Sequence, residues 1–128
     1  MKSLIIGVDF DGTMVKHKYP EIGAPIEDAV ETVLALQEAG HRIILYTMRS
    51  GERLVQAVEY MEENGIELWG VNENPTQCHW SKSPKIFCNV YIDDAALGCP
   101  LESDGTSRLF VDWVEVTGLL EEQGLLVL

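Results

Sequence analysis

Basic residues are scarce in this sequence, which has nine Lys and Arg against 21 Asp and Glu and therefore a net charge of −12. An acidic surface repels polyanions, so this charge argues against binding of nucleic acid or of anionic membranes through bulk electrostatics. Long apolar runs are also lacking. No stretch approaches the roughly 18 apolar residues of a membrane span, and the apolar start is interrupted at Asp9, before it reaches the length of a signal-peptide core.

Cysteine is rare as well. The three cysteines are Cys78, Cys88 and Cys99, an odd number with no C-x-x-C pair, which predicts neither a disulfide framework nor a zinc site. We therefore expect a protein of the reducing cytoplasm. Eleven Gly and five Pro are ordinary amounts that exclude collagen-like and low-complexity classes, and the length is that of one domain, so residues 1–128 are expected to form a single unit.

What the sequence does contain is an alternation of short β-branched runs with helical patterns. The runs predict strands at residues 3–8, 42–46, 66–71, 89–93 and 108–111. Apolar residues at helical spacing predict helices at residues 26–39, about 52–63 and about 112–123. Helices between strands imply right-handed βαβ crossovers. We therefore predict an α/β, Rossmann-like three-layer sandwich with a mostly parallel central sheet of about five strands.

Chemically active side chains follow three of these strands at the point where each strand ends. The first predicted strand runs into DFDGT at 9–13, the second ends at Thr47, and the fourth ends at Asp93 and Asp94. Open parallel sheets bind ligands outside the carboxyl ends of their strands, so at least three carboxylates are expected to meet there. Such carboxylates repel one another unless a cation lies among them, and their hard oxygens suit Mg²⁺.

These motifs, taken in order, resemble those of the haloacid dehalogenase (HAD) superfamily. The family's D-x-D-x-T is matched by DFDGT at 9–13, its Thr after an apolar strand by IILYT ending at Thr47, and its acidic pair by VYIDD ending at 93–94. Its lysine ahead of the last core strand is best matched by Lys85, with Lys82 as a possible substitute. The resemblance covers residues 3–98, about three quarters of the chain.

The resemblance implies phosphatase chemistry. Asp9 would be the nucleophile that forms an aspartyl-phosphate, and Asp11 would protonate the leaving oxygen and then deprotonate the attacking water. Thr47 would hold phosphoryl oxygens, and Lys85 would offset the charge of Asp9 and of the phosphate. The implied Mg²⁺ ligands are Asp9, the main-chain carbonyl of Asp11, Asp94 as an inner ligand, and Asp93 either directly or through water. The implied substrate-binding residues are Phe10, Gly12, Thr13, Met48 and Arg49.

The spacing between the motifs leaves no room for a lid domain. From Thr13 to Thr47 there is room for a flap and one helix, and from Thr47 to Lys85 for a helix, a strand and a loop. A capless site acts on a large substrate or is covered by a partner, and the apolar tail from Leu125 to Leu128 could serve a homo-oligomer interface or complete the chain's own sheet. We expect a Mg²⁺-dependent phosphatase of a small phosphate monoester. The alternatives are a phosphatase of nucleic-acid 3′ ends and a catalytically silent binding or regulatory domain.

Overall fold

The computed structural model describes residues 2–106 and 108–127. Its main sheet has four parallel strands, which are β1 (Ile5–Val8), β2 (Arg42–Leu45), β3 (Leu68–Val71) and β4 (Val90–Ile92), in the spatial order β3-β2-β1-β4. The helices are α1 (Ala29–Glu38), α2 (Gly51–Glu63) and α3 (Trp113–Glu122), with a short 3₁₀ turn at Gln77–His79. The predicted α/β fold with a parallel central sheet is confirmed, and within the described ranges no cap domain is inserted.

The fifth predicted strand, at residues 108–111, does not join the main sheet. Only its last two residues are extended, as β6 (Phe110–Val111), and they pair antiparallel with β5 (Leu101–Glu102). A parallel strand requires a long crossover connection, usually a helix. The chain between β4 and β6 contains turns and β5 instead of a helix, so β6 pairs with the strand that directly precedes it in sequence.

Successive side chains along each strand point to opposite faces of the sheet, so the sheet has two distinct faces. Ile6 and Val8 of β1 and Ile43 and Leu45 of β2 belong to the main core, together with buried residues of all three helices. On the opposite face lies Gly7, where an added Cβ would come within 2.8 Å of Sγ of Cys88. The segment that precedes β4 therefore packs directly against the backbone of β1.

The apolar tail packs against its own chain. Leu125 and Leu126 are both 4% exposed and are part of the main core, and the carbonyl of Leu125 lies 2.9 Å from Nε2 of the buried His41. Val127 is exposed, and Leu128, the last residue of the predicted interface segment, lies outside the described residues. None of the helices in the described part of the chain combines the length and the apolar character needed to span a membrane.

Candidate active site

A cleft of about 560 Å³ opens at the carboxyl ends of β1, β2 and β4. Its volume is within the range usual for small-molecule sites. The lining residues that sequence reasoning selected are Asp9, Asp11, Thr47, Met48, Arg49, Asp93 and Asp94. The cleft is also lined by His17, Tyr19, Ala95 and Arg108, which the sequence did not single out.

Three of the carboxylates form a compact group, called here the acidic cluster: Asp9, Asp93 and Asp94. Each offers an oxygen within 4.8 Å of the others, so the cluster could hold a metal ion. The sheet explains this placement, because β1 and β4 are neighbouring parallel strands with Val8 opposite Ile92. The residues that follow these partners, Asp9 and Asp93, are therefore brought to the same rim.

Burial and mutual repulsion disfavour the ionised forms of the cluster. Burial, then the charge of Asp93 and the hydrogen bond with Asp94, raise the pKa of Asp9 from 3.8 to about 8, against smaller opposing effects of hydrogen bonds from Phe10 and Thr13. The pKa of Asp93 is also raised, chiefly by burial, with a smaller contribution from Asp94. A bound cation would remove this repulsion, and carboxylate oxygens are the donors that hard divalent cations prefer.

The side chain of Thr13 links the two strand ends. It is fully buried, and its hydroxyl donates to Oδ2 of Asp9 at 3.0 Å and accepts from the backbone N–H of Asp94 at 3.2 Å. Gly12 precedes it with a φ of 82°, and a Cβ at this position would lie 2.3 Å from Nε2 of His17 and 2.5 Å from Oδ2 of Asp94. Both the backbone conformation and the crowding therefore require glycine.

The loop at 9–13 is also held from the C-terminal part of the chain. The indole Nε1 of the buried Trp113 donates to the carbonyl of Thr13 at 2.7 Å, and the backbone N–H of Val111 donates to the carbonyl of Gly12 at 2.9 Å. Phe10 is fully buried and packs edge-on against Tyr60. Phe10, Gly12 and Thr13, expected to bind substrate, thus lie behind the wall of the cleft and do not line it.

Asp11 belongs to the cleft but not to the acidic cluster. Its two carboxylate oxygens accept hydrogen bonds from Nε and Nη2 of Arg49, both at 2.8 Å. The Arg49 side chain is only 1% exposed, whereas that of Asp11 is 20% exposed. The sequence placed both residues at this rim, but it gave no indication that they pair.

Thr47 and Met48 lie at the mouth of the cleft beyond β2. The Thr47 backbone N–H donates to Oδ1 of Asn72 at 2.8 Å, and its hydroxyl accepts from the backbone N–H of Arg49 at 3.1 Å. The Met48 side chain is 97% exposed. Thr47 is therefore held from two sides while its neighbour remains open to solvent.

The position of the predicted lysine is set by the segment that precedes β4. In the described part of the chain, neither Lys85 nor Lys82 lines the cleft. The ammonium of Lys85 lies 5.8 Å from the ring centroid of Tyr91, and Lys82 borders a separate pocket in the loop before β4. Both lysines belong to the long irregular segment between β3 and β4, whose course has no periodic sequence signal.

His17 is the residue beside the acidic cluster that sequence reasoning missed. Its Nε2 lies 3.1 Å from Oδ2 of Asp94, and both side chains are 14% exposed. Arg108 reaches the same cleft from the segment before β6. No spacing rule pointed to either residue, because both come from loops whose positions depend on packing.

Comparison with solved structures identifies a relative of this chain. No protein-family model matches the chain, and no curated protein is significantly similar to it. A solved structure, described as that of a conserved protein coded by a locus from Bacteroides thetaiotaomicron, matches with a TM-score of 0.78 and 36% sequence identity. The match covers 95% of this chain and 93% of that one. The chain therefore belongs to the same family as this conserved Bacteroides protein.

Proposed function

We propose that the protein is a Mg²⁺-dependent phosphatase of the HAD type that hydrolyses a small phosphate monoester. The observation that carries this proposal is the meeting of Asp9, Asp93 and Asp94 at one sheet edge, with Asp11 of the DFDGT loop lining the same cleft. The residues come in the order of the HAD motifs, and they lie where an open parallel sheet binds its ligand.

The acidic cluster fits Mg²⁺ by its chemistry. Its donors are oxygens only, and burial together with the neighbouring charge of Asp93 raises the pKa of Asp9, so a cation would stabilise the ionised carboxylates. Asp9, Asp93 and Asp94 would hold the ion, with the main-chain carbonyl of Asp11 as a further ligand. When bound, Mg²⁺ neutralises charge on the phosphate and on these carboxylates.

Asp9 is the proposed nucleophile. One of its carboxylate oxygens attacks phosphorus, the new O–P bond forms as the ester O–P bond breaks, and the leaving oxygen takes a proton from Asp11. Water then attacks the aspartyl-phosphate and gives its proton to Asp11, which releases inorganic phosphate and restores Asp9. The hydrogen bond from Thr13 to Oδ2 of Asp9 fixes the orientation of the nucleophile before attack.

The remaining roles concern the phosphoryl oxygens. Thr47 lines the cleft, and its hydroxyl, which accepts from the backbone N–H of Arg49, would donate its own hydrogen to one of them. Lys85 remains the proposed counter-charge for Asp9 and for the phosphate, although it does not line the cleft. The cleft is open and a second copy of the chain could cover it, which measurement of the size of the protein in solution would test.

The test is phosphate release from a panel of phosphate monoesters, with Mg²⁺ and with excess chelator. We expect release that requires Mg²⁺ and is absent in Asp9→Asn. The matched control is Glu38→Gln, which removes one exposed carboxylate at the end of α1, away from the cleft. A wild-type protein that binds Mg²⁺ but releases no phosphate would favour a silent binding domain, and release only from nucleic-acid 3′ ends would change the substrate class.

A further inference from the structure

We infer that Arg49 is the positioning residue for Asp11 and not a ligand of the substrate phosphate; the inference rests on the proposed function. Nε and Nη2 of Arg49 donate to Oδ2 and Oδ1 of Asp11, both at 2.8 Å. A bidentate pair of this kind fixes the plane of a carboxylate as well as its position. Asp11 is thereby held in one orientation at the wall of the cleft.

The other donors of Arg49 are used by the protein as well. Nη1 donates to the carbonyls of Pro20 at 3.2 Å and of Arg53 at 3.4 Å, and Nη2 also donates to the carbonyl of Glu21 at 2.9 Å. An arginine side chain has five N–H donors, and here each one has an acceptor in the protein. A phosphate oxygen could bind only by displacing one of these acceptors.

Aromatic rings hold the guanidinium in place. Its central carbon lies 5.1 Å from the ring centroids of both Phe10 and Tyr19. The planar guanidinium suits stacking and a bidentate fork together, whereas lysine supplies one compact charge with neither property. The surroundings of Arg49 are therefore specific for arginine. Its inferred role is to hold the carboxylate of Asp11 in place.

Accurate placement of Asp11 matters most for esters with poor leaving groups. An alkoxide needs a proton as it departs, whereas an activated aryl oxide needs little help. Arg49 occupies one acceptor position on each oxygen of Asp11, which leaves a second position to carry the proton that Asp11 gives to the leaving oxygen and later takes back from water. A displacement of about 1 Å at such a group costs on the order of a hundredfold in rate.

The experiment compares an alkyl phosphate with p-nitrophenyl phosphate in Arg49→Lys at saturating Mg²⁺. We expect kcat/KM to fall about a hundredfold for the alkyl ester and less than about tenfold for the aryl ester. The matched control is Arg42→Lys, because the Arg42 guanidinium stacks on Trp69 at 4.9 Å, at the opposite end of β2. This control is expected to change neither value.

A double variant distinguishes positioning from a general structural effect. In the Asp11→Asn background, Arg49→Lys is expected to leave the alkyl-to-aryl ratio unchanged, because the group that it positions is already inactive. The rise in melting temperature on addition of Mg²⁺ should match that of the wild type, because Arg49 bonds to Asp11 and to backbone carbonyls and not to the acidic cluster. Circular dichroism verifies folding, and Arg49→Gln replaces Arg49→Lys if the latter does not fold.

Equal losses on both esters, a further drop in the ratio in the Asp11→Asn background, or loss of the Mg²⁺ response would each overturn the inference. A different result contradicts the proposed function itself. If the wild-type protein releases phosphate from neither ester, there is no leaving-group ratio to compare, and the positioning role falls together with the phosphatase.

Discussion

The hydroxyl of Thr13 donates a hydrogen bond to Oδ2 of Asp9 at 3.0 Å, across one turn of the loop that follows β1. The hydroxyl oxygen of Thr13 in turn accepts a hydrogen bond from the backbone N–H of Asp94 at 3.2 Å. One buried hydroxyl therefore joins the ends of β1 and β4, the two strands that carry the acidic cluster. Its loss affects both the fold and the nucleophile.

Replacement of Thr13 by valine is expected to lower the free energy of unfolding by about 1–3 kcal/mol, because the N–H of Asp94 and the carboxylate of Asp9 lose a buried partner. Thr13→Ser keeps the hydroxyl and should retain more of the stability than Thr13→Val does. Urea denaturation of the three proteins measures the difference. A valine variant as stable as the wild type would show that the bridge contributes nothing.

The variant Asp9→Asn should retain the fold and lose turnover to below a few per cent of the wild-type rate, since the amide keeps the shape of the side chain but not its attacking charge. Without metal it should also be more stable than the wild type in alkaline buffer, because one of three repelling carboxylates is removed. Phosphate release and thermal melts in chelator test both statements. Substantial remaining activity would exclude Asp9 as the nucleophile.

The stability of the metal-free protein should fall as the pH rises between about 4 and 8. The pKa of Asp9 is raised from 3.8 to about 8, so in this range the folded protein keeps a proton that the unfolded chain has lost. The unfolded state thus binds fewer protons, and the free energy of unfolding decreases with pH. Denaturation in chelator across this range measures the slope, which Asp9→Asn should reduce. A slope of equal size in that variant would assign the effect to other groups.

Mg²⁺ should raise the melting temperature, because a ligand that binds only the folded state stabilises it by mass action, by about 2.7 kcal/mol at a hundred times the dissociation constant. The rise should be larger at high pH, where protons compete less for Asp9. Asp94→Asn should weaken it, whereas Glu38→Gln should not. Melts in chelator and in millimolar Mg²⁺ that coincide would argue directly against a metal site.

The acidic cluster could be predicted because it depends on local patterns and one general rule. Apolar runs that end in Asp9 and in Asp93 mark two buried strands, and parallel strands bring their carboxyl ends to the same edge of a sheet. The pairing of Asp11 with Arg49 could not be predicted in this way. It depends on how the loops after β1 and β2 fold, and neither residue spacing nor secondary-structure propensity determines the backbone of those loops.

The positions of two other segments could not be predicted from the sequence, for similar reasons. The lysine motif places Lys85 by sequence order alone, and order says nothing about how a long irregular segment folds back toward a strand end. The segment at 108–111 has the composition of a strand, but composition does not say which strand it will pair with. The pairing depends on which other strands the connecting chain is long enough to reach. In this segment β6 pairs with β5, which directly precedes it in sequence, and not with a strand of the main sheet.

The bond from Trp113 to the carbonyl of Thr13 joins residues that are 100 positions apart. The ribosome therefore makes the DFDGT loop long before it makes the indole that holds this loop. A nascent chain that has emerged only through β3 contains Asp9 and Asp11 but neither Asp93 nor Trp113. During synthesis the acidic cluster therefore cannot form before β4 and the residues after it have emerged, so a cation held by all three carboxylates is acquired only after the first three strands have been made.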